Sequence, residues 1–187
     1  VNLCPMAKAA KCHIPCLKSA GRMGMAYDAR LNRTKLYLNN PAEYFNMLVT
    51  EINAFIKKAE RKGLMPLVRL NGTSDIRYEN IGFVFEVVYF RNIFEYFPDL
   101  QFYDYTKIPN RFNSMNGLSD FPKNYDLTFS YSGADGFQKY NDRALKAGVR
   151  IAAVFDRVEN IPVTFHKRKV VSGDETDVRH LDAQNVI

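Results

Sequence analysis

Apolar side chains recur at Phe45, Leu48, Val49, Ile52, Phe55, Ile56 and Ala59, and steps of three and four lay them on one face of a helix. Asn40 ahead of this stripe is a good N-cap, Pro41 suits the first helical position, and Glu43 completes a capping box. Lys57, Lys58, Arg61 and Lys62 gather at the far end, where positive charge complements the helix dipole, and Gly63 stops the helix. A helix is expected over 40–63, with its stripe in the core.

Shorter apolar runs follow. Met65 to Leu70 reads as a buried strand ending in the polar turn Asn71-Gly72-Thr73-Ser74-Asp75. The stretch 81–97 is amphipathic and long enough to favour a helix, while its Val and Phe density keeps strand open for part of it. Residues 100–106, 125–130 and 149–155 read as further strands, and 136–147 as a short helix closed by Gly148. Val163 to Phe165 and Val170-Val171 read as short late strands.

Strands alternating with helices over short connections predict a parallel sheet with crossover helices. The strands look nearly continuously apolar, as when both faces of a sheet are covered. Polar clusters follow them directly: Asn71 to Asp75, Thr106-Lys107, Ser130 to Ser132, and Asp156-Arg157. In such architectures ligands bind at the carboxyl ends of the strands, so these clusters are expected on one rim. The expected fold is one α/β domain over 1–187, a parallel-sheet partial barrel of β/α repeats, with an amino-terminal cysteine loop over 1–22.

Composition changes this picture little. Apolar residues at 47% and charged residues at 25% are ordinary for a globular chain. No run approaches the ~20 apolar residues of a membrane span, and no signal-peptide core opens the chain. A cytoplasmic setting without a membrane partner is expected. The net charge of +6 is spread widely and leaves a nucleic-acid partner open. The first residue is Val1 and the last three are Asn185-Val186-Ile187, which look like a strand beginning; both ends are expected to be cut from a longer chain.

The cysteines change it more. All three, Cys4, Cys12 and Cys16, fall in the first sixteen residues. Three thiols cannot close into a disulfide framework, and lysines nearby favour the thiolate form that binds metal. The leading expectation is a [4Fe–4S] cluster on Cys4, Cys12 and Cys16, with one iron left open. Zinc bound by the same thiols and His13 has the right ligand number, but His13 adjoins Cys12 and converges with it poorly. A disulfide plus one thiol, and three unrelated cysteines, are the plainer alternatives.

Other residues could carry chemistry. Asn71, Gly72, Thr73, Ser74 and Asp75 combine close backbone approach with donors and an acceptor, or simply cap the next helix. Tyr103, Tyr105 and Lys107 alternate along one side of a strand and could line a substrate. Gly173-Asp174-Glu175-Thr176-Asp177 places three carboxylates in four positions, a pattern able to hold a divalent cation or supply an acid–base pair. Phosphate-loop, dinucleotide-binding, serine-hydrolase and H-E-x-x-H motifs are absent.

A cysteine loop ahead of β/α repeats resembles the radical S-adenosylmethionine partial barrels. Here Cys12 and Cys16 give only the C-x3-C half of that superfamily's pattern, and no Gly-Gly-Glu follows the second strand. The resemblance implies S-adenosylmethionine on the open iron, with Asn71 to Asp75 holding its amino-acid moiety. A second resemblance runs along nearly the whole chain. Asn2-Leu3-Cys4-Pro5, Cys12 to Leu17, Ala20-Gly21-Arg22, Ala29-Arg30-Leu31, Arg69 to Ile76, Phe102 to Lys107 and Gly173 to Asp177 are similar to the gene-product-88-like proteins of phages and plasmids. That resemblance implies a phage-infected or plasmid-bearing bacterial cell and brings no activity with it. Two functions are therefore expected: an iron–sulfur protein of radical S-adenosylmethionine type with an unknown substrate, or a basic nucleic-acid-binding module with a structural zinc or thiol loop.

Overall fold

The computed structural model describes residues 2–14, 16, 25–114 and 121–187, with the backbone alone at 113 and 114. The Ala20-Gly21-Arg22 motif and Leu17 lie outside them. Four parallel strands make the central sheet in the order β1 (Leu67–Val68), β4 (Gln101–Thr106), β5 (Tyr125–Ser130) and β6 (Ile151–Ala152). The sheet is open; the described residues form no closed barrel. Beyond β6, the Ile151 N–H donates to the Val186 carbonyl, and Ile187 exchanges backbone bonds with Lys169 and Val171.

Helix α1 (Tyr27–Asn39) runs directly into α2 (Pro41–Glu60). No residue of α1 is buried, so it carries no apolar stripe for the sequence to reveal. Phe45, Val49, Ile52 and Ala59 of α2 are buried, as its periodicity predicts. Asn40 Oδ1 accepts from the Glu43 N–H at 3.2 Å. The return bond of the expected capping box is altered, because the Asn40 N–H continues α1 by bonding Leu36; Glu43 takes the Asn40 side-chain amide instead. At the other end Gly63 adopts φ +64°, and the Leu64 and Gly63 N–H groups close onto Ala59 and Glu60 in a Schellman motif.

The stretch 81–97 is not one helix. It forms a hairpin of β2 (Phe83–Phe85) and β3 (Val88–Phe90), then the short α3 (Ile93–Tyr96) capped by Asn92. Glu86 and Val87, at φ +46° and +65°, make the two-residue turn that the strand twist requires. Phe83 stacks on Phe45 of α2 with ring centroids 4.8 Å apart, so tertiary packing of aromatics overrides the helical period. The late strands are an antiparallel pair: β7 (Thr164–Phe165) falls within the expected Val163 to Phe165, and β8 (Arg168–Lys169) lies two residues before the expected Val170-Val171.

The two faces of the sheet differ in a way the apolar runs hide. Phe102, Leu127, Phe129 and Ile151 point into the core with Phe94, Phe112 and Phe137. Tyr103, Tyr105, Asp126 and Ser130 point to the opposite face, which is polar. The segment 177–183 covers it: Arg150 donates to Asp126 Oδ1 at 2.6 Å and to the Asp182 carbonyl at 2.7 Å. Helix α4 (Gln138–Lys146) packs on the core side, burying Ala144.

Candidate functional site at the carboxyl rim

The parallel strands end together, and the loop carrying the cysteines sits on their carboxyl rim. Three contacts seat it. The Asp75 N–H donates to the Leu3 carbonyl at 3.0 Å, Cys4 Sγ donates to the Thr73 carbonyl at 3.5 Å, and Ser132 Oγ donates to the Ala10 carbonyl at 2.9 Å. Ser132 is itself held by Asn141 of α4, whose amide donates to its carbonyl at 2.8 Å. The polar clusters after β1, β4 and β5 thus share one rim.

Asn71 closes the turn beneath the loop. Its side chain accepts from the Ile76 N–H and Ser74 Oγ and donates to the Ile76 carbonyl, while its own N–H donates to Asp104 Oδ1 at 2.8 Å. Burial pushes the Asp104 carboxyl up to about 6, opposed by the Asn71 N–H and the Tyr125 hydroxyl. Asp75 accepts from Thr106 Oγ1, the Lys107 N–H and Arg111 Nη1. Arg111 also forks onto Glu79 through Nε at 2.8 Å and Nη2 at 2.7 Å, and Nη2 reaches the Tyr125 hydroxyl. This is a buried network in which one guanidinium serves two carboxylates.

The residues singled out from sequence are therefore placed as follows. Asn71 and Asp75, read as cofactor anchors, direct their side chains inward, where they are fully engaged with the protein. Ser74 joins them, Thr73 meets Cys4, and Gly72 is exposed. Lys107 Nζ donates to the Ser130 carbonyl, Ser130 Oγ and the Tyr131 carbonyl at 2.9, 3.0 and 3.2 Å. Burial lowers the Lys107 ammonium from its ordinary value, and the nearby Cys12 and Asp75 oppose that. Tyr103 and Tyr105 point to the polar face, and both hydroxyls donate to Asp177 at 3.1 and 2.6 Å. Arg69 pairs with the same carboxylate at 3.0 Å and stacks over the Tyr105 ring. Burial and Asp177 both raise the Tyr105 phenol above its ordinary value. The acidic run thus contributes Asp177 to a tyrosine–arginine cluster.

The cysteines are half-buried thiols. Cys12 Sγ faces the Ala7 carbonyl at 3.8 Å, and the His13 ring nitrogen Nδ1 lies 3.1 Å from the same oxygen. Among the described residues no three His, Cys, Asp or Glu side chains stand close enough to hold a metal ion. A four-coordinate zinc needs its sulfur ligands within about 4 Å of one another, given Zn–S bonds of about 2.3 Å. The zinc arrangement of Cys4, Cys12, Cys16 and His13 is therefore not assembled. A cuboidal cluster would take three thiolates at separate iron corners, farther apart than zinc ligands, and that set too is not assembled among the described residues.

The gene product 88 family matches residues 1–187. The chain belongs to that family. No curated protein and no solved structure matches it. Family membership agrees with the motifs quoted above and assigns no residue a role. Among the described residues no helix is long and apolar enough to cross a membrane.

Beside the loop opens a cavity of about 660 Å³, lined by Leu3, Pro5 and Met6 on one side and by the turn 75–81, Ile108 to Asn110 and α4 on the others. Sequence reasoning missed this cavity and the Arg111 network. Arg111, Glu79 and Tyr125 meet only in three dimensions, and no local spacing marks them.

Proposed function

We propose that this member of the gene product 88 family carries an iron–sulfur cluster on Cys4, Cys12 and Cys16, and that it acts at the carboxyl rim beneath that loop. The observation that supports this most is the seat of the loop: a segment bearing every thiol of the chain is bonded to the loops that follow two parallel strands, β1 and β5. That rim is where α/β sheets bind ligands. Metal binding commonly completes the ordering of its own ligands, so a thiol set that closes only with the cluster is consistent with the unassembled arrangement. When bound, such a cluster offers one iron without a protein thiolate, a position for an external ligand. The reading stops short of S-adenosylmethionine cleavage, because Asn71 and Asp75 are engaged internally and the sheet is open.

Anaerobic iron and acid-labile sulfide analysis tests it. Matched iron and sulfide in the wild type, lost in the triple Cys→Ala variant, is the expected result. Zinc alone, or no metal, ends the proposal.

A second reading rests on one different observation. Lys57, Lys58, Arg61 and Lys62 at the end of α2 are all exposed, and among the described residues none pairs with a carboxylate. Such a cap suits nucleic-acid phosphates, and the binding would weaken steeply with salt. Salt-insensitive or absent binding to duplex DNA and single-stranded RNA removes this reading.

A further inference from the structure

We propose that the cavity beside the cysteine loop binds a small organic anion: a carboxylate or phosphate head on a flat apolar body. At about 660 Å³ it falls within the ~300–1,000 Å³ typical of small-molecule sites. Its walls are mostly apolar, with Leu3, Pro5 and Met6 facing Ile81 and the rings of Tyr37 and Tyr140. A flat hydrocarbon or aromatic body fits between such walls.

The charge at the edge selects the head group. Arg77 and Arg143 line the cavity, and both are exposed. The Arg77 guanidinium makes no hydrogen bond or ion pair among the described residues, and Arg143 donates only to the neutral Asn110 side chain, at 2.5 Å. Asp142, beside Arg143 in the chain, accepts instead from Gln138. The carboxylate that reaches the cavity, Asp75, is already held by Arg111 Nη1 at 2.9 Å and by Thr106. Two cations thus stand at an apolar cavity without a carboxylate partner. Guanidinium forks match carboxylate and phosphate oxygens in pairs. The amides of Asn2, Asn80 and Asn110 supply further polar contacts around the same cavity.

The cavity takes its shape without a metal. The cavity wall formed by Leu3 is fixed by the Asp75 N–H, not by a thiol ligand set. The triple Cys→Ala variant is therefore expected to bind the same probes, which separates this proposal from the cluster.

The test is titration calorimetry at low salt on the full chain with three probes: phenyl phosphate, 3-phenylpropionate and the neutral 3-phenylpropanol. At least one of the anions should bind ten-fold or more tighter than the alcohol, and comparing the two anions tells which head group the site prefers. Arg77→Gln combined with Arg143→Gln should bring that anion down to the alcohol's level, with an unchanged melting temperature reporting an intact fold. Both positions are exposed, so the variant should fold; if it does not, each single substitution should weaken the anion several-fold. Equal binding of anions and alcohol, anion binding indifferent to these substitutions, or no binding of any probe at millimolar concentration would overturn the proposal.

Discussion

Arg111 Nη1 lies 2.9 Å from Asp75 Oδ1, and the arginine side chain between them and Glu79 is wholly buried. One guanidinium therefore joins the turn after β1 to the sheet beneath the cysteine loop. Removing it leaves two carboxylates without their cation in a region that water does not reach. Arg111→Ala should lower stability by about 3–5 kcal/mol in urea unfolding. Arg111→Lys should recover only part of that, because an ammonium cannot fork onto Glu79 while reaching Asp75. A loss below about 1 kcal/mol in the alanine variant would show that the network is not the brace described.

Asp104 gives stability a pH dependence of unusual sign for a carboxylate. Its folded value of about 6 stands above the ordinary 3.8, chiefly through burial. The folded state therefore holds the proton more tightly than the unfolded state does. The contribution is full below pH 4 and is lost as pH rises toward 6, by about 3 kcal/mol at most. Asp104→Asn, which cannot titrate, should flatten that slope in unfolding measurements from pH 4 to 7. A slope unchanged by the substitution assigns it to another group.

Asn71 serves both the turn and the loop above it. Asn71→Ala leaves the Ile76 N–H without its acceptor, at about 1–3 kcal/mol for an unsatisfied buried donor. It should also loosen the Asp75 to Leu3 contact and speed maleimide labelling of Cys4 in the metal-free protein. Labelling at the wild-type rate would separate the turn from the loop.

The polar face should respond to salt where the core does not. Asp177 is half exposed, so replacing it by Asn should cost only about 1 kcal/mol at low ionic strength. The difference from wild type should shrink in 1 M salt, where exposed pairs are screened. A salt-independent loss would mean that the tyrosine hydroxyl bonds, not the charge on Arg69, carry the contact.

Much of this architecture is written in local pattern. The α2 stripe, its Asn40 cap and the Gly63 stop follow from spacing and turn chemistry, and β4 and β5 from short runs bounded by polar turns. The parallel order is expected from alternation with helices, and α4 between β5 and β6 is such a crossover, whereas β1 and β4 are joined through a hairpin and the short α3. What local pattern hides is set by distant partners. Phe83 reads as one step of a helical face until Phe45 stacks on it, and α1 offers no stripe because it buries nothing. Val149 to Phe155 reads as one strand, yet only Ile151–Ala152 pairs, since Val154 is exposed beyond the sheet. At the site, the clustering of thiols is legible and so is their rim. The inward turn of Asp75 and the alliance of Tyr103 and Tyr105 with Asp177 depend on contacts more than thirty residues apart.

The seat of the cysteine loop also sets an order of events during synthesis. Its anchors are Thr73, Asp75 and Ser132, the last 122 residues downstream of the carbonyl it binds. A growing chain presents the three cysteines first and their mooring much later. Until Ser132 has left the ribosome the loop lacks that anchor, and its thiols are more open to oxidants and to any soft metal in reach. Maturation of the loop is thus an event of the finished sheet, and a chain stalled before Ser132 would expose thiols that the folded protein keeps half-buried.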